Sequence, residues 1–132
     1  MLSFRVITGF VALFGGATTV AGQEGAPTVP SGLDLTLYEM ILEDQPDGQV
    51  WARYRFVAPD LKQDDYDRVS GDFPEICAAY ALPQLEIQGA HPAIIVLTYA
   101  DRPIPFGEAA PEAVQFVESF RVDQGACVWE VF

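Results

Sequence analysis

The apolar run richest in β-branched residues after the N-terminal region is Ala93–Tyr99, bounded by His91-Pro92 on one side and Asp101-Arg102-Pro103 on the other. Its length and β-branched content predict a strand buried on both faces. Two earlier stretches alternate instead. Leu33–Glu43 and Val50–Ala58 flank Asp44-Gln45-Pro46-Asp47-Gly48, a turn signal, and together predict a hairpin. Pairing Met40 with Tyr54 sets Tyr38 opposite Phe56 and Leu42 opposite Ala52 on an apolar face, and Glu39 opposite Arg55 on the other. A shift by one residue would mix the faces. The expected inner face is Tyr38, Met40, Leu42, Tyr54 and Phe56, leaving Trp51 and Ile41 among charges outside.

Helical spacing follows over Asp64–Tyr80, with Tyr66, Val69, Phe73, Ile76, Cys77 and Tyr80 on one side. Asp64 or Asp65 is expected to cap its start and Asp72 to cap a second piece after the interruptions at Gly71 and Pro74. The helix should end near Leu82-Pro83, because a residue before proline avoids helical backbone. Gln84–His91 has no clear form. Pro111 suits a first helical turn, and Ala113, Phe116, Val117 and Phe120 make an apolar stripe that predicts a second helix to about Arg121. Gln124-Gly125 then turns the chain into a closing strand, Ala126–Phe132, with Cys127, Trp129 and Val131 on one face. The order expected is ββαβαβ: a small single α+β domain over residues 33–132, two helices on a sheet.

The first 22 residues change what is counted. A positive start at Arg5, an apolar stretch Val6–Phe14 and small residues up to Gly22 have the layout of a secretory signal peptide. The apolar core is shorter than the ~20 residues of a spanning helix, so an uncleaved anchor is the weaker reading. Residues 23–32, with Gly, Pro, Thr and Ser, are expected to be a mobile lead-in. The chain has 7 basic and 19 acidic residues, net −12. Arg5 leaves with the leader, so the mature side chains sum to −13. Such a chain is repelled by phosphate backbones and anionic lipids, which argues against nucleic acid or membrane-surface partners. In a periplasmic or secreted protein, Cys77 and Cys127 are expected to form a disulfide. A redox or metal pair is the alternative, without a CxxC spacing and with one histidine to support it.

Candidate chemistry is sparse. His91 would need an orienting carboxylate and a nucleophile; Asp101 lies at the far end of the same strand. Asp60, Asp64, Asp65 and Asp67 fail the alternation of a calcium loop, and read as solvated charge. No catalytic residue, metal site or cofactor is assigned. In Asp101–Gly107, two prolines hold Ile104 extended; the loop either covers a core edge with Ile104 and Phe106 or presents Arg102 and Phe106 for recognition. Apolar residues outnumber the inner positions. If both helices share one sheet face, Trp51, Ile41, Phe132 and alternate central-strand residues would be bare and suit a partner, unless the lead-in or a helix covers them. Trp51, Arg53, Arg55, Arg102 and Phe106 are therefore the candidate contacts of a protein-binding module of the cell envelope. A small hydrolase using His91 and a structural envelope protein without ligand are the alternatives.

The segments LTLYEMILED, RYRFVAPDL, DDYDRV with Cys77, YALPQL, DRPIPFGEAAPEAVQFVESFR and CVWEVF resemble a family of uncharacterised exported proteins, mainly alphaproteobacterial, known as a domain of unknown function. The resemblance spans the whole mature chain; Gly71 and Pro74 depart from a smoother family helix. It implies no activity and supplies no catalytic residue. Members sometimes bear an acetolactate synthase label, which a 110-residue exported chain without a cofactor motif does not fit.

Overall fold

The structure, a computed structural model, describes residues 26–131. The leader, the start of the lead-in and Phe132 lie outside them. Alternating residues form the expected hairpin, β1 (Thr36–Asp44) and β2 (Val50–Val57), antiparallel. The register is the one the side chains require, with Met40 opposite Tyr54, Leu42 opposite Ala52 and Glu39 opposite Arg55. One residue departs from it. The ladder shifts between Leu37 and Glu39, so that Leu37 rather than Tyr38 faces Phe56. A bulge turns the following side chains over, and Tyr38 is exposed, its ring 5.6 Å from the Arg55 guanidinium carbon.

The chain then crosses the sheet through one helical layer: α1 (Tyr66–Val69), α2 (Asp72–Ile76), a π turn (Cys77–Ala81) and α3 (Leu82–Gln88). It breaks at Ser70-Gly71, near the predicted interruption, but Pro83 does not end it. Leu82 keeps helical dihedrals and donates its N–H to Cys77 O, five residues back. The wider π turn relieves the crowding that a proline ring imposes on the preceding carbonyls, and Pro83 falls in the first turn of α3. The stretch from Gln84 that had no clear form is therefore mostly helix. Gly89, with φ +73°, closes it in the left-handed conformation that favours glycine. Neither Asp65 nor Asp72 makes a capping hydrogen bond at these helix starts.

β3 (Ile94–Ala100) is the central strand and pairs parallel with β2, as a β–α–β passage allows. The second predicted helix is instead a strand, β4 (Gln115–Asp123), antiparallel to β3, and β5 (Ala126–Glu130) closes the sheet. The sheet order is β1-β2-β3-β4-β5, and the observed chain order is ββαβββ. The apolar positions 116, 117 and 120 fit a helical stripe, but the segment is rich in Phe and Val, which suit a pleated surface. A central strand also needs a hydrogen-bonded neighbour on each side, and β4 supplies the second.

The core lies between the helical layer and one sheet face, where Val69, Phe73, Ile76 and Leu85 meet Tyr54, Phe56, Leu97 and Tyr99. Cys77 in the π turn and Cys127 in β5 form a disulfide across this layer, with Cα atoms 6.2 Å apart. Val29 of the lead-in joins the same core, and so do Leu33 and Leu35, which lie between the lead-in and the start of β1 at Thr36. Asp72, 1% exposed, anchors the lead-in: its carboxylate accepts from Ser31 N (2.8 Å), Ser31 Oγ (2.6 Å) and Tyr99 Oη (2.9 Å).

Candidate functional site

On the sheet face away from the helices, the register aligns Trp51, Arg53 and Arg55 beside Glu43, Ile41 and Glu39. The segment after β3 folds back over this face. Ile104 is buried, its carbonyl accepts from Arg55 Nη2 at 2.8 Å, and Phe106 is set down between the two arginines. The guanidinium carbons of Arg53 and Arg55 lie 5.2 and 5.5 Å from the Phe106 ring centre. Arg53 also stacks on Trp51 at 5.4 Å. The result is an alternating row of rings and guanidiniums: Trp51, Arg53, Phe106, Arg55, Tyr38.

Both cations are offset on the protein itself. Arg53 pairs with Glu43 at 2.9 Å and Arg55 with Glu39. Hydrogen bonding to Arg53 holds the Glu43 carboxyl below its usual range. The row therefore presents ring faces more than free charge, with Phe106 47% and Tyr38 41% exposed. Of the five candidate contacts, the fold brings Trp51, Arg53, Arg55 and Phe106 together. Arg102 stands apart, exposed and forked onto Asp101 at 2.9 and 3.0 Å. Asp101 also accepts from Val114 N at 3.2 Å, so this pair clamps the two ends of the covering loop. Its carboxyl is held low, chiefly by Arg102. Tyr38, which the predicted register buries, belongs to the row; the bulge that exposes it has no signal in the alternation.

His91 lines a separate depression of about 280 Å³ between α3 and the β4–β5 turn, with Leu82, Leu85, Glu86, Ala90, Pro92, Val122 and Gly125. Glu86 is a possible orienting carboxylate, but no hydroxyl or thiol lines the depression, so His91 has no nucleophile to activate there. Among the described residues no group of three or more His, Cys, Asp or Glu side chains is placed to hold a metal ion, and no helix is long and apolar enough to cross a membrane.

A third feature, a notch of about 530 Å³, opens where β5 ends beside β4, lined by Tyr66, Val117, Glu118, Ser119, Trp129, Glu130 and Val131. Glu118 is on the helix-side face, where Tyr66 Oη and Trp129 Nε1 each donate to its carboxylate at 2.6 Å. Donation to Glu118 pushes the Tyr66 phenol up to about 12. Nothing in the local pattern pointed to this cluster while Gln115–Arg121 read as a helix.

What these observations define is a small disulfide-stapled α+β domain, a five-stranded sheet with one helical layer and two unusual surfaces. The chain belongs to a family of unknown function (DUF6497), matched over residues 12–132. No curated protein and no solved structure matches it.

Proposed function

We propose that this protein is an exported, non-catalytic module that binds a protein partner in the periplasm or outside the cell, through the face formed by Trp51, Arg53, Arg55 and Phe106. One observation supports the reading above others: Phe106 is held half exposed between two guanidiniums that are already neutralised. A ring fixed in this way loses little conformational entropy when a partner covers it, and the paired charges need no new counter-ion. Arg102, on the same loop, is spent on Asp101 and is not part of this face. The disulfide is compatible with an oxidising compartment, and the leader-like residues 1–22 are consistent with export.

The test is crosslinking capture from the envelope of the native host with the tagged chain and its Phe106→Ala and Trp51→Ala variants. A stoichiometric partner captured by the parent and lost from both variants, with the fold intact, supports the proposal. A partner retained by both removes this face from the site. A second reading, that the loop is only a cover for Ile104 and the outer sheet, has the burial of Ile104 in its favour. It requires Phe106→Ala to lower stability while capture is unchanged.

A further inference from the structure

The row of rings and guanidiniums over β2 has more donors than it satisfies. Arg53 spends only its Nε, on Glu43 at 2.9 Å, and neither terminal nitrogen of its fork has an acceptor among the described residues. Nor does the indole N–H of Trp51. The acceptors nearby are engaged: Glu43 also takes Gln45 Nε2 at 3.0 Å, Glu39 takes Arg55, and the Ile104 carbonyl takes the second Arg55 donor. A free carboxylate or phosphate is a poor match, because Glu39 and Glu43 stand beside both arginines and the chain carries a net charge of −12. The electrostatic complement of this surface is an uncharged acceptor.

The rings set a second condition. Each arginine lies between two of them: Arg53 has Trp51 at 5.4 Å and Phe106 at 5.2 Å, and Arg55 has Phe106 at 5.5 Å and Tyr38 at 5.6 Å. Consecutive rings are therefore no more than about 11 Å apart, close to the ~9 Å turn of a polyproline II helix, which repeats every three residues. Such a helix makes no internal hydrogen bonds, so its carbonyls are free, and where its residues are proline it brings no N–H of its own. The described lead-in packs on the helix side of the sheet, through Val29 and through Ser31 on Asp72, and leaves Phe106 and Tyr38 exposed on the other.

We infer, resting on the reading of this face as a binding site, that its partner presents a proline-rich segment in the polyproline II conformation. Residues i, i+3 and i+6 of the segment sit on Trp51, Phe106 and Tyr38. Carbonyls between those contacts accept from the Arg53 fork and the Trp51 indole. The prolines are already extended and Phe106 is already fixed, so docking costs little conformational entropy. Glu43 holds the Arg53 guanidinium between Trp51 and Phe106, and the free end of the fork is the donor offered to the ligand.

The experiment titrates the oxidised protein with blocked heptaproline and follows the two indole N–H groups by nuclear magnetic resonance. The Trp51 signal should move saturably while Trp129, on β5, stays in place as the internal control. Blocked tetraproline, which reaches two rings, should bind about tenfold more weakly, the size of one aromatic contact. Tyr38 is exposed on the edge strand, and Tyr38→Ala should bring heptaproline down to the tetraproline level. Arg53→Lys, which keeps a charge beside Glu43 and loses the fork, should weaken heptaproline by a similar factor. No shift at Trp51, or equal binding of a blocked glycine-serine heptapeptide, overturns the inference. So does tighter binding of a blocked heptapeptide alternating glutamate and serine, which would make Arg53 a carboxylate site. The binding role itself fails separately. A partner captured by the parent and lost from Phe106→Ala, with no heptaproline binding, keeps the face and overturns its proline ligand. Heptaproline binding without any captured partner supports the ligand and counts against a partner in the envelope.

Discussion

Asp72 is the one buried charged side chain among the described residues, and its removal tests how the lead-in is held. Three donors converge on its carboxylate: Ser31 N, Ser31 Oγ and Tyr99 Oη. A hydrogen bond to a charged group is worth about 1.5–3 kcal/mol, and a buried donor left without a partner costs about 1–3 kcal/mol. Asp72→Ala strands the Tyr99 hydroxyl in the core and frees the Ser31 turn, while it recovers the desolvation of the carboxylate. The balance is a loss of about 3–4 kcal/mol, a large part of the ~5–15 kcal/mol that stabilises a domain. Asp72→Asn keeps the shape but turns an amide N–H₂ toward a donor, at about 2 kcal/mol. Tyr99→Phe removes one donor and should cost about 1–1.5 kcal/mol. Because Asp72 and Tyr99 share a bond, a double-mutant cycle by urea denaturation should give a coupling of about 1 kcal/mol or more. Limited proteolysis supplies a readout specific to the lead-in, which should become cleavable between residues 26 and 35 in Asp72→Ala and stay protected in Tyr99→Phe. A loss below about 1 kcal/mol for Asp72→Ala, or strict additivity with Tyr99→Phe, would refute the anchoring role.

Four further outcomes follow from the same structure. Removing the disulfide as Cys77→Ala with Cys127→Ala, across a sequence separation of 50, should lower stability by up to about 4 kcal/mol in the chain-entropy account; an unchanged urea midpoint would contradict it. Gly89→Ala meets no atom within 4 Å, so only its φ of +73° resists the side chain, and calorimetry should register a loss of about 1 kcal/mol. At alkaline pH, Tyr54, raised to about 12 mainly by burial, and Tyr66, raised to about 12 mainly by Glu118, ionise later in the folded chain than in the unfolded one. Their contribution is complete below pH ~10 and lost as pH rises toward ~12, about 2–3 kcal/mol for Tyr54; the urea midpoint should fall over that range, and less steeply in Tyr54→Phe. Asp101 shifts the other way: its depressed carboxyl contributes above the normal carboxylate range and is lost as pH falls through its folded value, so the protection of Val114 N–H against exchange, relative to its intrinsic rate, should fall in acid, and in Asp101→Asn at neutral pH.

The hairpin register was legible because each face had its own composition: Glu39 could meet Arg55 only if Met40 met Tyr54. The buried central strand and the disulfide were legible for similar reasons, a continuous apolar run and two cysteines in a chain with a leader-like start. Local pattern could not reveal long-range pairing. Whether Pro83 stops a helix depends on the hydrogen-bond register of the π turn before it, and that turn presents Cys77 to Cys127 across the core. The position of Phe106 depends on where the loop lands after it leaves the sheet. The two prolines explain its stiffness and not its destination.

The misreading of Gln115–Arg121 has a narrower cause. As a strand, the segment puts Glu118 on the helix-side face between Phe116 and Phe120, and leaves Val117 exposed on the other face. An alternating strand with a simple structural role would reverse those two residues, carboxylate outward and valine inward. Their inversion makes the apolar positions 116, 117 and 120 imitate a helical stripe. Local rules tend to break where a site needs a residue that the fold alone would not choose. Here both exceptions line the notch between β4 and β5, with Tyr66 and Trp129 donating to the misplaced carboxylate. Glu118→Leu with Val117→Thr would restore the strand pattern and remove the Tyr66 and Trp129 hydrogen bonds. If Glu118 is retained for a purpose other than the fold, that double variant should be no less stable than the parent by urea denaturation. A drop of more than about 2 kcal/mol would instead make Glu118 a structural hub, with its two donors as the reason for its position.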